Sequence, residues 1–133
     1  MAETTCGLLD TSVVIDLDVI EPDDLPGEAS VSAVTMAELS AGPHATDDAA
    51  ERARRQDRLQ QLESWIDPVP FDSDCARAFG RIYAAVLTAG RQPRRRMADL
   101  LIAATALAAG LPLYTRNADD FVGLAQIIDV VAV

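Results

Sequence analysis

Four carboxylates that lie far apart in the sequence each adjoin an apolar run that predicts a strand or a buried helix. They are Asp10, Glu38, Asp99 and Asp120. Acidic side chains are seldom buried unless a cation pairs with them, yet the chain contains no lysine and its first 50 residues contain no arginine. A hard divalent cation such as Mg²⁺ or Mn²⁺, which prefers oxygen ligands, would supply the missing charge. The pattern therefore predicts a carboxylate metal site.

Such a site favours hydrolysis of a phosphodiester. A divalent cation relieves the repulsion between carboxylates, and Mg²⁺ usually keeps several waters while one or two carboxylates bind it directly. The other acids can hold metal-bound waters or a second ion. A metal-bound water is more acidic than bulk water and becomes the nucleophile, while the cation neutralises the phosphate oxygens. The single histidine, His44, lies in a segment typical of a solvated loop and cannot build a His-rich zinc site.

Each acid also has a structural explanation that the sequence leaves open. Asp10 is placed to cap the helix after it, and Glu38 follows Thr35 at the spacing of a capping box. Asp99 would favour the N-terminus of its helix electrostatically, and Asp120 fits a solvated loop. Each of these explanations suffices for its own acid taken singly. Four acids at helix ends along one rim of a sheet favour a shared site.

The charges are distributed unevenly along the chain. The net charge of −10 argues against a general nucleic-acid binder. However, all eleven basic residues are arginines between Arg52 and Arg116, whereas the first 50 residues carry eleven acids and no base. The arginines at 52–58 are typical of a solvated helix face. Those at 91–96 directly precede Asp99, which favours a role beside the acids.

Alternating strand and helix patterns predict one α/β domain over residues 1–133. Strands are predicted at 7–10, 31–34, 113–115 and 127–133, and helices at 13–17, 35–41, 46–66, 73–89 and 97–109. This alternation predicts a mainly parallel central sheet with helices on both faces. Ligands of such sheets bind at the carboxyl ends of the strands, near a switch in strand order. We therefore expect the four acids along that rim.

Composition limits the cellular setting. No apolar run reaches the roughly 18 residues of a membrane span, and the start of the chain lacks the basic segment of a signal peptide. We therefore expect a cytoplasmic protein with no membrane partner. Cys6 and Cys75 lack the close spacing of a zinc site and are expected to be core thiols.

Four segments, in this order, resemble the successive motifs of PIN-domain ribonucleases, and most closely those of the VapC-type toxins of bacterial toxin–antitoxin pairs. They are Leu8-Leu9-Asp10-Thr11-Ser12, Met36-Ala37-Glu38-Leu39, Met97-Ala98-Asp99-Leu100-Leu101-Ile102-Ala103-Ala104-Thr105-Ala106 and Tyr114-Thr115-Arg116-Asn117-Ala118-Asp119-Asp120-Phe121. The resemblance implies a three-layer PIN-like fold and an endoribonuclease that depends on Mg²⁺, with Mn²⁺ as an alternative. It also implies a homodimer that a VapB-type antitoxin holds inactive in a hetero-oligomer.

The resemblance carries over Asp10, Glu38 and Asp99 as the acidic core. It leaves the fourth acidic position open among three neighbours, which are Asn117, Asp119 and Asp120. Asp120, directly before an aromatic residue, is the preferred candidate.

The resemblance also implies supporting residues. Thr115, together with Ser12 and Asn117, is expected to steady metal-bound waters or phosphate. The arginines expected along the RNA backbone are Arg94, Arg95, Arg96 and Arg116.

Missing residues exclude several other enzymes of this fold class. Haloacid-dehalogenase phosphotransferases and receiver domains need a lysine, and P-loop hydrolases need Gly-x-x-x-x-Gly-Lys. Two alternatives stay open. One is a non-catalytic PIN-like interaction module, although a scaffold has no need of a repulsive acid cluster. The other is a nuclease that acts on DNA, because phosphate contacts carry no information about the sugar.

Overall fold

Parallel strands form the centre of the molecule in the computed structural model, which describes residues 5–133. The strands of that range are β1 (Cys6–Leu9), β2 (Glu28–Val31), β3 (Leu113–Thr115) and β4 (Val130–Ala132). The helices are α1 (Thr11–Ile15), α2 (Ala33–Ala41), α3 (Ala49–Trp65), α4 (Ser73–Thr88) and α5 (Met97–Ala109). Short 3-10 turns cover Leu17–Val19, Pro22–Asp24, Gly42–Ala45, Pro93–Arg96 and Ala118–Phe121. Residues 1–4 of the predicted domain lie outside the described range.

The strand order is β2-β1-β3-β4, and every neighbouring pair is parallel. In the middle of the sheet, Leu9 of β1 pairs with Val31 on one side and with Tyr114 on the other. The chain adds β2 to one edge of β1 and then β3 and β4 to the opposite edge. The strand order therefore switches beside β1, and the carboxyl ends of β1 and β3 meet there. The predicted parallel sheet is confirmed.

Two apolar cores cover the two faces of the sheet. Because side chains alternate along a strand, Leu8 and Leu9 enter different cores, at 0% and 1% exposure. Leu8 packs with the buried faces of α4 and α5, and Leu9 packs with those of α1, α2 and α3. This arrangement gives three layers, helix–sheet–helix, as the sequence resemblance implies.

Helix α5 is buried along most of its length, as its apolar sequence predicts. Ile102 and the residues Ala103–Ala106 are fully buried, and Leu100 is nearly so. The helix ends at Gly110, whose φ of +67° lies in the left-handed region that favours glycine. Core packing therefore fixes the helix along its length, including the first turn, which carries Asp99.

The start of α2 differs from the prediction. The strand expected over 31–34 ends at Val31, and the helix begins at Ala33 rather than at Thr35. The physical reason is the fully buried Ser32, whose hydroxyl accepts a hydrogen bond from the Thr35 backbone N–H at 3.0 Å and so caps the helix. The capping box expected between Thr35 and Glu38 is therefore wrong, and the Glu38 side chain is free for another role.

Smaller differences concern element ends. Helix α1 begins directly after Asp10, and α3 begins at Ala49 rather than at residue 46, with Asp48 as its cap. The last strand is shorter than predicted because the N–H groups of Ile127 and Ile128 bond back to the Leu124 carbonyl and form a turn.

The two cysteines are free thiols, and Cys75 is buried as predicted. Cys6 is exposed because it begins β1 ahead of the strand's buried residues, so its placement in the core was wrong. Among the described residues, no helix combines the length and the apolar character needed to cross a membrane.

Candidate active site

Asp10 lies at the carboxyl end of β1 and is only 4% exposed. Its backbone occupies the N-cap position of α1, but its side chain does not cap that helix. Instead, its Oδ2 atom accepts hydrogen bonds from Ser12 Oγ at 2.7 Å and from Thr115 Oγ1 at 2.9 Å. The capping explanation for Asp10 is therefore wrong. Two hydroxyls hold this buried carboxylate at the rim of the sheet.

The two hydroxyls also connect the ends of β1 and β3. Ser12 Oγ accepts from the Arg116 backbone N–H at 3.1 Å, and Thr115 Oγ1 accepts from the Asn117 backbone N–H at 3.0 Å. Arg116 and Asn117 thus contribute backbone groups to this network. The Arg116 guanidinium lies with its Nε 3.3 Å from Asp16 Oδ2.

One oxygen of Asp10 stays open. Both hydroxyl donors go to Oδ2, and the hydrogen bonds of residues 5–133 include none to Oδ1. No buried side-chain oxygen or nitrogen of those residues lacks a partner, so Oδ1 must reach the surface of the rim. The arrangement leaves this oxygen available to a cation.

Glu38 approaches the same rim from the second turn of α2. Its side chain is exposed, and its Oε1 atom accepts a 2.6 Å hydrogen bond from Thr11 Oγ1. Thr11 Oγ1 also lies 3.0 Å from the buried Thr35 Oγ1. The supporting residues predicted from the sequence do not include Thr11. Its position directly after Asp10, where the strand ends, is the signal that would have placed it in the site.

Asp99 shows that the carboxylates converge. Burial raises the pKa of Asp99 most, and the charges of Asp10, Asp120 and Glu38 add to it in that order, so that the pKa reaches about 6 from its ordinary 3.8. Arg96 lowers the pKa of Asp99 but does not offset these effects. Three distant segments therefore place their charges close enough to act on one carboxyl group, as the sequence predicts.

Asp120 completes the group. It lies in the 3-10 turn Ala118–Phe121, and the buried Phe121 anchors that turn. Its Oδ1 atom forms an ion pair with Arg96 Nη1, which also lies 3.8 Å from Asp99 Oδ2. Asp119 is exposed, and its carbonyl oxygen accepts a hydrogen bond from Arg91. Among the three neighbours considered for the fourth position, Asp120 is the one joined to Asp99 through a shared cation.

The donor atoms suit a hard cation. The rim offers carboxylate and hydroxyl oxygens, with no sulfur or imidazole in its hydrogen-bond network. Within residues 5–133, no three acidic, cysteine or histidine side chains are close enough to bind one ion together. The arrangement therefore fits an ion held by one or two carboxylates and its own waters, as Mg²⁺ prefers.

The arginines that precede Asp99 border a cavity of about 300 Å³. Arg95 and Arg96 line it together with Asp120, Arg91 and Gln92. Arg94 belongs to the same 3-10 turn and is exposed. The turn therefore places positive charge directly beside the acids, as its position in the sequence suggests.

Comparison with known proteins identifies the family. The PIN domain model matches residues 8–126. The chain belongs to the PIN-domain family. Its relatives include Ribonuclease VapC5 of Mycobacterium tuberculosis, which is 39% identical over 123 residues, 89% of this chain and 87% of that protein. VapC ribonuclease Y4jK of Sinorhizobium fredii is 33% identical over 126 residues, 86% of this chain and 89% of that protein.

Solved structures show the same PIN-like fold. The crystal structure of VapBC-5 from Mycobacterium tuberculosis, a member of the VapBC family of toxin–antitoxin systems, matches with a TM-score of 0.86 and 32% identity over 97% of this chain and 99% of that one. VapBC2 of Rickettsia felis, bound to a DNA fragment from its promoter, matches with a TM-score of 0.72 over 97% and 98% of the two chains. At 20% identity, the second likeness supports the fold alone.

The raised pKa of Asp99 predicts how the stability of the metal-free PIN domain depends on pH. Between about pH 4 and pH 6, the folded chain binds more protons at Asp99 than the unfolded chain does, so the free energy of unfolding should fall as pH rises. Above about pH 6 Asp99 is ionised in the folded chain, and the full destabilisation by its charge is present. Asp99→Asn removes this ionisation and should stabilise the metal-free protein there by roughly 1–3 kcal/mol, with little effect below about pH 4.

Denaturant unfolding in EDTA across this pH range measures the effect. Asp119→Asn, on the exposed neighbour of Asp120, is the matched control and should follow the wild type. If Asp99→Asn and Asp119→Asn showed the same pH dependence of the free energy of unfolding, the raised pKa of Asp99 would be contradicted.

Proposed function

We propose that this PIN domain is a metal-dependent endoribonuclease that acts in the cytoplasm as the toxin of a toxin–antitoxin pair. The observation that carries the proposal is the placement of the acids at one rim, where Ser12 and Thr115 hold Asp10, Thr11 holds Glu38, and Arg96 joins Asp99 to Asp120. The choice of RNA over DNA is supported by the relatives, which are named as ribonucleases.

The proposed reaction is hydrolysis of an RNA phosphodiester bond by water. Mg²⁺, or Mn²⁺ in its place, would lower the pKa of the attacking water and neutralise charge on the phosphate. Asp10 and Asp99 would hold the ion, since Oδ1 of Asp10 is open and Asp99 carries an energetically costly charge. Glu38 and Asp120 would accept hydrogen bonds from water bound in the site. Ser12 and Thr115 keep the carboxylate of Asp10 in place.

The 3-10 turn Pro93–Arg96 would give the RNA a place to bind. Arg94 and Arg95 are exposed beside the acids and would contact the RNA backbone. Replacing both with Ala should lower the salt dependence of RNA binding, by about 0.7 in log–log slope for every phosphate that the two side chains neutralise. Arg116 is a weaker candidate for this role, because its guanidinium lies beside Asp16.

The cluster of acids, with Asp10 held by the hydroxyls of Ser12 and Thr115, favours a catalytic protein over a module that only binds other proteins. Like charges held together lower stability unless something binds them, so a scaffold would gain nothing from them. This argument and the ribonuclease relatives favour the nuclease over the non-catalytic module that the sequence left open.

A VapB-type antitoxin is the proposed partner, and a homodimer is the proposed state of the toxin. A groove of about 300 Å³ between α1 and α3 supports partner binding, because exposed Ile15 and Trp65 line it. Its charged lining is mixed and consists of Asp18, Asp57, Arg54 and Arg58. A partner segment with apolar side chains would fit against Ile15 and Trp65. The VapBC assembly of the related Mycobacterium tuberculosis structure supports the same partner class.

Partner binding can be tested at this groove. Trp65→Glu should abolish co-purification with the product of the adjacent antitoxin gene, because it places a charge among the apolar contacts. Leu87→Glu is the matched control, since Leu87 is equally exposed but belongs to α4. Unchanged co-purification with Trp65→Glu would place the partner elsewhere.

The proposed activity predicts two linked results for Asp99→Asn. Cleavage of a structured RNA should fall by orders of magnitude, because water and phosphate lose a shared ion. Mg²⁺ should raise the melting temperature of the wild type through binding to the folded state, and that of the variant much less. Asp119→Asn should retain both cleavage and the Mg²⁺ effect. If Asp99→Asn retained full cleavage and the full Mg²⁺ effect, Asp99 would only stabilise the N-terminus of α5 and would not bind the metal.

A further inference from the structure

Arg96 differs from the arginines around it in where its charge lies. It occupies the position before α5, where its φ of −137° and ψ of 40° fall outside the helical range. From there a single nitrogen, Nη1, forms an ion pair with Asp120 and lies 3.8 Å from Asp99 Oδ2. One guanidinium therefore links acids from two elements that are separate in the sequence.

The neighbouring arginines do not share these contacts. Across residues 5–133, the ion pairs of the four predicted site acids all involve Arg96. Arg95 lies in the same 3-10 turn and lines the same cavity, but the described residues include no acid within 4.0 Å of its side chain. The contacts of Arg96 are therefore specific to its position rather than a general property of the basic turn.

The ion pairs of Arg96 with Asp99 and Asp120 are also weak enough to be displaced. The Arg96 side chain is 45% exposed, and those of Asp99 and Asp120 are 27% and 26% exposed. Ion pairs with this much solvent access contribute little net stability. The adjoining cavity of about 300 Å³ gives the long side chain a place to turn into. Arg96 thus pairs with the acids at a position that solvent reaches.

We propose that Arg96 is an internal counter-ion of the acid cluster that competes with a divalent cation for Asp99 and Asp120. This inference rests on the metal site of the proposed function. In the metal-free protein Arg96 offsets part of the repulsion among the acids. When an ion binds, the guanidinium leaves the two carboxylates and faces the cavity beside Arg95. Metal affinity is therefore set by the acids and by the arginine that must be displaced.

Arg96→Gln tests this competition, because it removes the charge but keeps a polar side chain. Removing a competing pair of this strength should tighten Mg²⁺ binding about two- to five-fold, measured by calorimetry on the metal-free full-length chain. Arg95→Gln is the matched control, since it removes the same charge from the same cavity. It should change the affinity much less.

Thermal melts give a second readout that does not depend on activity. Without metal, Arg96→Gln should melt below Arg95→Gln, because the acids lose their nearest cation. In saturating Mg²⁺ that difference should disappear, since the ion replaces the arginine. If Arg96 only stabilised the 3-10 turn, Mg²⁺ would not change the difference in melting temperature between the two variants.

The outcomes separate this inference from the proposed function. Equal Mg²⁺ affinities for the two variants, or weaker binding by Arg96→Gln, would overturn the competition while leaving the metal site standing. Absence of Mg²⁺ binding by the wild-type chain would overturn both, and that result is visible before any variant is measured.

Discussion

Electrostatic repulsion at the end of the central strand is the constraint on which the rest of this molecule depends. Asp10 is buried, yet it shares a rim with three other carboxylates, and both burial and the charges of those neighbours raise the pKa of Asp99 to about 6. Carboxylates in such a cluster would move apart or take up protons if the backbone allowed it. The hydroxyls of Ser12 and Thr115 keep Asp10 in place instead.

The apolar layers make this arrangement possible. The two cores hold β1 between α5 on one face and α1 on the other, and the buried stretch from Leu100 to Ala106 fixes the helix that carries Asp99. The switch in strand order brings the ends of β1 and β3 side by side, so Thr115 reaches Asp10 across more than a hundred residues of sequence. Packing energy distributed over the domain thus supports a small region that is unfavourable by itself.

Much of this architecture is visible in the sequence because it depends on local patterns. The apolar runs beside Asp10 and Asp99 predict a buried strand and a buried helix, and both are present. The alternation of strands and helices predicts the parallel sheet. A parallel sheet places acids that follow different strands at one rim, and the helix that runs back to begin the next strand starts at the same rim with Asp99. The grouping of the four acids could therefore be anticipated without coordinates.

Other features depend on tertiary contacts that periodicity does not encode. Ser32 rather than Thr35 caps α2, because Ser32 is buried where β2 ends and its hydroxyl needs a partner. The contact of Thr11 with Glu38 requires the relative placement of two helices. The sequence grouped Arg96 with its basic neighbours, whereas its pairing with Asp120 depends on a turn more than twenty residues away.

The central claim is that these converging carboxylates form a divalent metal site. Crystals grown with MnCl₂ and measured at a wavelength where manganese scatters anomalously would test it most directly. The account predicts an anomalous peak at ligand distance from Oδ1 of Asp10 and from the Asp99 carboxylate, with Arg96 turned away from Asp99. The absence of an anomalous peak beside Asp10 and Asp99 would contradict the claim, provided that the crystals contain manganese at a saturating concentration.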